Sequence, residues 1–398
     1  MSTFITIEEP RRPAAPPPGN ALWQLGFRPF YLLASSFAAL SITLWAAQLA
    51  GWLDHAYLAG PLWHAHEMLF GFVLAVVVGF LFTAGRNWAS RPTPSGATLA
   101  ALAALWLAAR ILVLTPWGWA AAAVNVAFPL AAALALAIPF WKARNRRNYF
   151  FVGLLVLMAL ASGAIHGSQL GVWSLPAWVG VQLALDVVLF IVAVMAGRVV
   201  PMFTNNGVPG AGATRHAQVE KIALGSLLAL GAADVLQAPA IALALVAAAA
   251  AIAHAARWAL WRPWKTTRAP LVWALHLAYA WIPVHLALRA GVSAGWLPGA
   301  TATHALTVGA IGGMTMAMMT RTARGHTARP LRADGFDVAG YGLVLGAALV
   351  RVLGPSAPAA WQMPSLLLSA ALWSAAFALY ALRYGPMLWR SRLDGKPG

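Results

Sequence analysis

Apolar stretches close to the length that crosses a bilayer recur along this sequence, and short loops between them contain most of its charged residues. A membrane-spanning helix needs about 20 consecutive apolar residues. Twelve segments approach that length: 29–51, 61–84, 97–114, 117–140, 149–170, 175–197, 217–236, 239–261, 271–290, 298–320, 336–354 and 364–384. Charged residues make up only 9% of the chain, against about 25% in soluble domains. A water-soluble protein is therefore excluded.

The basic residues determine the expected orientation. Every second loop and both chain ends are rich in Lys and Arg, whereas the opposite side holds only Arg110, Arg289 and Arg351. Basic loops tend to stay in the cytoplasm. We therefore predict an all-α polytopic membrane protein with about twelve transmembrane helices in one bundle and both termini cytoplasmic. The net charge of +17 then reflects membrane topology, and no nucleic-acid partner is expected.

The two chain ends differ in composition from the apolar body. Residues 1–21 are polar and proline-rich, and they lack the apolar core of a signal peptide. We predict a disordered cytoplasmic tail over 1–21, a twelve-helix membrane domain over 22–390 and a cytoplasmic tail over 391–398.

Histidines are concentrated at one depth of the predicted bundle. Five lie near the outer, non-cytoplasmic ends of their helices: His64, His66, His166, His285 and His304. Ionisable residues inside a membrane are costly and are functional candidates by default. Imidazole is a usual ligand of haem iron and copper, and the chain has no cysteine. The pattern predicts a buried metal or haem with histidine ligands, although a single histidine near a helix end is more often an interfacial residue.

Helical spacing divides the histidine candidates. His64 and His66 are two residues apart, or about 200° around a helix, and cannot both bind one ion without local unwinding. His276 and His285 are nine residues apart and lie on opposite faces of the ninth helix. One of these two is therefore predicted to be structural. Tyr279 lies on the face of His276.

An acidic residue, Glu67, directly follows His66. A buried carboxylate at this position either orients a ligating imidazole or belongs to a proton path. His66 and His304 each precede a glycine by five residues, Gly71 and Gly309. Because His66 and His304 lie in the second and tenth predicted helices, this repetition suits a bundle built from three four-helix units.

Several strings in the sequence occur together and carry a family resemblance. The two most specific are WHAHEM at 63–68 and HALTVG at 304–309, which continues to GHT at 325–327. The others are GFRPF at 26–30, RVVPMFTN at 198–205 and HLAYAW at 276–281. The sequence resembles the NnrS family, a group of bacterial inner-membrane proteins that carry haem and copper and are linked to nitric oxide and denitrification.

The resemblance implies a haem of the b type and copper, with ligands from one set of histidines. Four residues are expected to contact the haem: His166, His276, His304 and Tyr279. Three are expected to bind metal: His64, His66 and His304. His304 belongs to both groups because the residues alone do not divide the set between iron and copper.

The resemblance also implies an oxidoreductase acting on nitric oxide in the inner membrane. The expected reaction is a quinol-dependent reduction of two NO to N2O that protects against nitrosative stress, with Glu67 as the catalytic proton-transfer group. One alternative is a non-enzymatic sensor or carrier of nitric oxide or copper. A secondary transporter is less favoured, because the sequence has no clear inverted repeat and no pair of broken helices around a polar site.

Overall fold

The computed structural model describes residues 21–53, 57–58 and 60–396. All of the predicted N-terminal tail except Ala21, and the last two residues of the predicted C-terminal tail, lie outside the described residues. Within the described ranges the regular structure is helical, and they contain no strand. The predicted all-α class is confirmed.

Twelve helices follow one another in the described chain when segments that continue without a break are counted together. They are α1 (Phe27–Leu49), α2 (Gly60–Ala89), α3 (Gly96–Leu112), α4 (Gly118–Lys142), α5 (Tyr149–Gln169), α6 (Ala177–Gly207), α7 (Ala217–Val235), α8 (Ala240–Leu260), α9 (Pro270–Ser293), α10 (299–326), α11 (Gly335–Leu353) and α12 (Ala359–Trp389). Proline directly precedes four of them, at Pro176, Pro239, Pro298 and Pro358. Proline suits a helix start because the first turn does not need its missing N–H.

Nine helices in the described part of the chain are long and apolar enough to cross a membrane. The other three are α3, α7 and α10. Helix α3 is apolar but has only 17 residues, α7 contains Glu220 and Lys221 in its first turns, and α10 ends in the polar segment Gly313–His326. The chain is therefore an all-helical membrane protein.

Some helices extend further at their basic ends than the apolar pattern predicts. The sequence predicts a sixth helix that ends at Gly197, whereas α6 continues through Pro201 to Gly207. Apolar composition indicates only the part of a helix that lies within the apolar depth of the bilayer. Helical hydrogen bonding continues into the polar region beyond it.

The two ends of the described chain meet at one face of the bundle, where α1 packs against α12. The backbone N–H of Ala21 donates to the carbonyl of Trp389 at 2.8 Å. The buried guanidinium of Arg28 donates to the carbonyls of Leu388 at 2.9 Å and Arg390 at 2.8 Å. Helices α2 and α6 lie at the centre, with 83% and 72% of their most apolar windows buried.

Two helices contain a π-helical segment, Glu67–Val73 in α2 and Ala305–Gly312 in α10. Each segment begins immediately after a histidine, His66 or His304. Such segments are rare and are frequently found at functional sites.

The glycine five residues after each of these histidines lies inside the π-helical segment, where its neighbours leave no room for a side chain. A Cβ atom on Gly71 would lie 2.3 Å from the ring of Phe37, and one on Gly309 would lie 2.4 Å from the indole of Trp281. The carbonyl of Gly71 also accepts a hydrogen bond from Trp106 Nε1 at 3.0 Å. The repeated His–Gly spacing in the sequence therefore corresponds to a repeated local structure.

Candidate functional site

Two separate groups of histidines lie in α2, α5 and α10, at the end of the bundle opposite to Ala21 and Trp389, which is the end predicted to face outwards. His66 and His166 meet in a buried hydrogen-bonded network, whereas His64 and His304 line a cavity. His64 and His66 thus belong to different groups, as their spacing on α2 requires.

Glu67 lies at the centre of the buried network. Its Oε1 accepts hydrogen bonds from His66 Nδ1 at 2.8 Å and from the guanidinium of Arg110. Arg110 also donates to Oδ1 of Asn125, whose amide donates to the carbonyl of Ala121 at 2.8 Å. No more than 5% of the surface of His66, Glu67, Arg110 or Asn125 is exposed. Arg110 is therefore the buried countercharge of the Glu67 carboxylate.

The hydrogen bonds of this network run in one direction. Because the Glu67 carboxylate is an acceptor, His66 donates through Nδ1 and its Nε2 carries a lone pair. His166 Nε2 lies 3.1 Å from that nitrogen and donates to it. His166 Nδ1 in turn accepts from the hydroxyl of Tyr57 at 3.0 Å. Burial raises the pKa of Tyr57, which lies in the loop before α2, to about 12, so its hydroxyl remains a donor at neutral pH.

Three members of the network are absent from the residues predicted from the sequence: Tyr57, Arg110 and Asn125. Arg110 could have been found, because it is one of only three basic residues on the outer side. A charge in an apolar helix needs a partner, and Glu67 is an acid at the same depth. Tyr57 in a loop and Asn125 in an alanine-rich helix give no comparable signal.

A cavity of about 480 Å³ lies between the outer halves of α1, α2, α6, α10, α11 and α12. Its lining is mainly apolar, with His64 and His304 on the wall, and among the residues that the structure describes Arg351 is the only permanently charged one there. Ligand sites typically have volumes of about 300–1,000 Å³, apolar walls and a few polar groups. The cavity therefore has the size and lining of a ligand site.

The two histidines of the cavity are held in different ways. His304 Nδ1 donates to the carbonyl of Ala300 at 2.7 Å, which leaves the lone pair on Nε2. The ring of His64 stacks on Trp45 with 4.3 Å between ring centroids. A metal-ligating imidazole commonly donates its other N–H to a carbonyl or carboxylate. His304 of the cavity has such a contact with a carbonyl, and His66 of the buried network has one with the Glu67 carboxylate.

His276 and Tyr279 lie away from both groups and have separate partners. His276 Nε2 lies 2.8 Å from the hydroxyl of Thr204. The hydroxyl of Tyr279 lies 2.6 Å from His254 Nδ1 and 3.1 Å from the guanidinium of Arg257. The structure therefore distributes the predicted haem-contact residues over different places and does not bring them into one site.

His285 is buried at the depth of the outer histidines but is not among the cavity-lining residues. Its Nδ1 donates to the carbonyl of Ala302 at 2.8 Å, a contact that links α9 to α10, and its buried Nε2 has no hydrogen-bond partner among the described residues. Among the residues that the structure describes, no three His, Asp or Glu side chains are grouped so that they could hold one metal ion.

A comparison with family models gives a match over almost the whole chain. The model described as NnrS protein matches residues 21–392. No curated protein matches the chain.

Proposed function

The chain belongs to the NnrS family, and from this membership and the outer site we propose that it binds haem and copper and acts on nitric oxide. Family membership fits a membrane protein related to nitric oxide. The observation that carries the proposal is the apolar cavity bordered by His64, His304 and Arg351.

The donors and the shape of the cavity fit a haem. A haem has a large apolar ring, an iron that accepts histidine ligands and two acidic side groups. The cavity offers apolar walls, the imidazoles of His64 and His304, and one guanidinium. We propose these two histidines as the haem ligands. When bound, the haem would supply an iron that can change its oxidation state, and nitric oxide would bind that iron in place of one of the two imidazoles.

We propose His66 and His166 as ligands of copper. Their Nε2 atoms are 3.1 Å apart, close to the separation of about 3.3 Å expected for two imidazole nitrogens bound at about 2.0 Å to one tetrahedral ion. The contact of His66 Nδ1 with Glu67 orients the imidazole for this role. When bound, copper supplies a second centre for nitric oxide or electrons.

The proposed reaction is 2 NO + QH2 → N2O + H2O + Q, where QH2 is a membrane quinol. The quinol supplies two electrons and two protons, one N–N bond forms, one N–O bond breaks, and the released oxygen leaves as water. Nitric oxide is apolar and reaches the cavity through the lipid. With both Nε2 atoms on copper, the hydrogen bond between His166 and His66 would be absent, and the Glu67 carboxylate beside His66 is the group that would pass protons to the site.

A second candidate is a non-catalytic sensor or carrier of nitric oxide or copper. The observation that favours it is that the described residues contain no group of three side chains for one metal ion. Two protein ligands hold copper less firmly than the three or four of a typical protein metal site, as suits a carrier.

Visible spectra and nitric oxide consumption of the purified full-length protein test the proposal. We expect haem bands in the reduced-minus-oxidised spectrum, bound copper, and quinol-dependent formation of one N2O for every two NO. Haem without turnover would favour the second candidate. A protein that binds no haem would contradict both the assigned cavity and the proposed reaction.

We also propose that all twelve helices span the bacterial inner membrane and that both termini are cytoplasmic. The contact between Ala21 and Trp389 supports ends on one side, and the basic loops support the cytoplasm as that side. A reporter fused in the 142–147 loop should be cytoplasmic, and one in the 170–176 loop should be periplasmic. The reverse pattern would contradict both the topology and the outer position of the site.

The substitution Glu67→Gln is expected to keep the haem and weaken copper binding. The amide keeps the size and one acceptor but removes the charge that pairs with Arg110. Loss of such a partner typically reduces metal affinity or activity by about 10–100-fold. Copper titration measures the effect, with the haem spectrum as an internal control. Complete loss of copper at saturating metal would instead show that Glu67 binds the ion directly.

A further inference from the structure

Three basic residues lie on the predicted outer side of the bundle, and they differ in whether they are paired. Arg110 pairs with Glu67, and Arg289 pairs with both Asp186 and Asp234 on neighbouring helices. Arg351 has neither a hydrogen bond nor an ion pair with any residue that the structure describes. A charge without a partner is costly in an apolar environment, so Arg351 differs from the other two in needing a partner beyond the residues that the structure describes.

The position of Arg351 indicates where that partner would be. It lies three residues before Gly354, near the outer end of α11, is half-buried, and is part of the cavity wall. An arginine close to a helix end can extend towards the interface. Arg351, however, also lines the cavity, together with His64 and His304.

The other polar side chains of the cavity offer few free hydrogen-bond donors to an anion. The hydroxyls of Thr303, Thr307 and Ser369 donate to the backbone carbonyls of Gly299, Thr303 and Ala347. The indole N–H of Trp45, which is 7% exposed, has no partner in the described chain. The donors left for a ligand are therefore the guanidinium of Arg351, the indole N–H groups of Trp45 and of the more exposed Trp178, and a ring N–H of His64. Among these donors only the guanidinium is permanently charged.

We propose that Arg351 binds a carboxylate of the ligand in this cavity, and that the ligand sits with its acidic edge towards the outer end of α11. This inference rests on the proposed function, in which the ligand is a haem with two propionate groups. A guanidinium pairs well with a carboxylate because its planar N–H groups match the two oxygens. Arg351 is thus a positioning residue that selects an acidic ligand over a neutral one.

The test compares two ligands that differ only in charge. Full-length protein prepared without haem is titrated with haemin and with haemin dimethyl ester, in which both carboxylates are blocked, and binding is followed by visible absorption. We expect Arg351→Gln to weaken haemin binding by about 10–100-fold, the range for a hydrogen bond between charged groups. We expect it to change binding of the dimethyl ester by less than about twofold.

Two further variants separate charge from structure. Arg351→Lys keeps the positive charge and should retain more haemin affinity than Arg351→Gln. Arg262→Gln removes a distant charge in the loop after α8, where the side chain lies over Trp264, and should bind both ligands like the wild type. Equal weakening of both ligands by Arg351→Gln, or no weakening of either, would overturn the carboxylate contact. A wild type that binds neither ligand would overturn the proposed haem site itself.

Discussion

The substitution His304→Ala is expected to remove most of the haem from the purified protein. His304 lines the cavity, and its contact with the Ala300 carbonyl leaves Nε2 as the ligating nitrogen. Loss of a residue that only supports a ligand reduces affinity by about 10–100-fold, so loss of the ligand itself should reduce it at least as much. The haem-to-protein ratio, measured by absorption, gives the result directly.

The matched control for this experiment is His285→Ala. His285 is a buried histidine on the neighbouring helix α9, and it also donates through Nδ1 to a backbone carbonyl, but it does not line the cavity. We expect its haem content to stay near that of the wild type. If His285→Ala loses haem and His304→Ala retains it, the assignment of the cavity as the haem site is wrong.

The substitution Arg110→Met should have the largest effect on stability. It leaves Glu67, which is 1% exposed, without its countercharge, so that the carboxyl group must either stay charged in an apolar site or take up a proton. Breaking a buried ion pair by removal of one partner costs about 3–5 kcal/mol. Thermal unfolding in detergent should show a large decrease in the midpoint, and copper binding should weaken because His66 loses a fixed acceptor.

The double variant Arg110→Met with Glu67→Gln tests the cause of that loss. It removes both charges, and replacing both members of a buried pair by neutral groups can be nearly neutral. We expect it to recover most of the stability lost in Arg110→Met. A double variant as unstable as Arg110→Met would show that the arginine acts through packing, for example against Trp106 and Phe37, and not through its charge.

The helical class could be predicted because the length of an apolar segment is set by the bilayer and can be counted in the sequence. Spacing on one helix was also informative, since it separated His64 from His66. The grouping across helices could not be predicted in this way. His166 meets His66 and not His64 because of the way α5 packs against its neighbours, and no spacing within one helix contains that information.

The same limit explains the placement of His276 and Tyr279. They are three residues apart, which rotates one from the other by about 60° on the helix. That rotation directs His276 to Thr204 on α6 and Tyr279 to His254 on α8. The π-helical segments were likewise visible only as a repeated His–Gly spacing, since the sequence does not show the close approach of Phe37 and Trp281 to the two glycines.

The contact of Arg28 with the end of α12 has a consequence for biogenesis. Arg28 and Leu388 are 360 residues apart, and a ribosome adds about 5–20 residues per second. About 20–70 s therefore pass between the synthesis of Arg28 and the synthesis of Leu388 and Arg390, whose carbonyls accept hydrogen bonds from its guanidinium. A chain that ends before α12 cannot form these hydrogen bonds between Arg28 and the end of α12. We therefore expect quality-control proteases to degrade truncated chains faster than full-length ones.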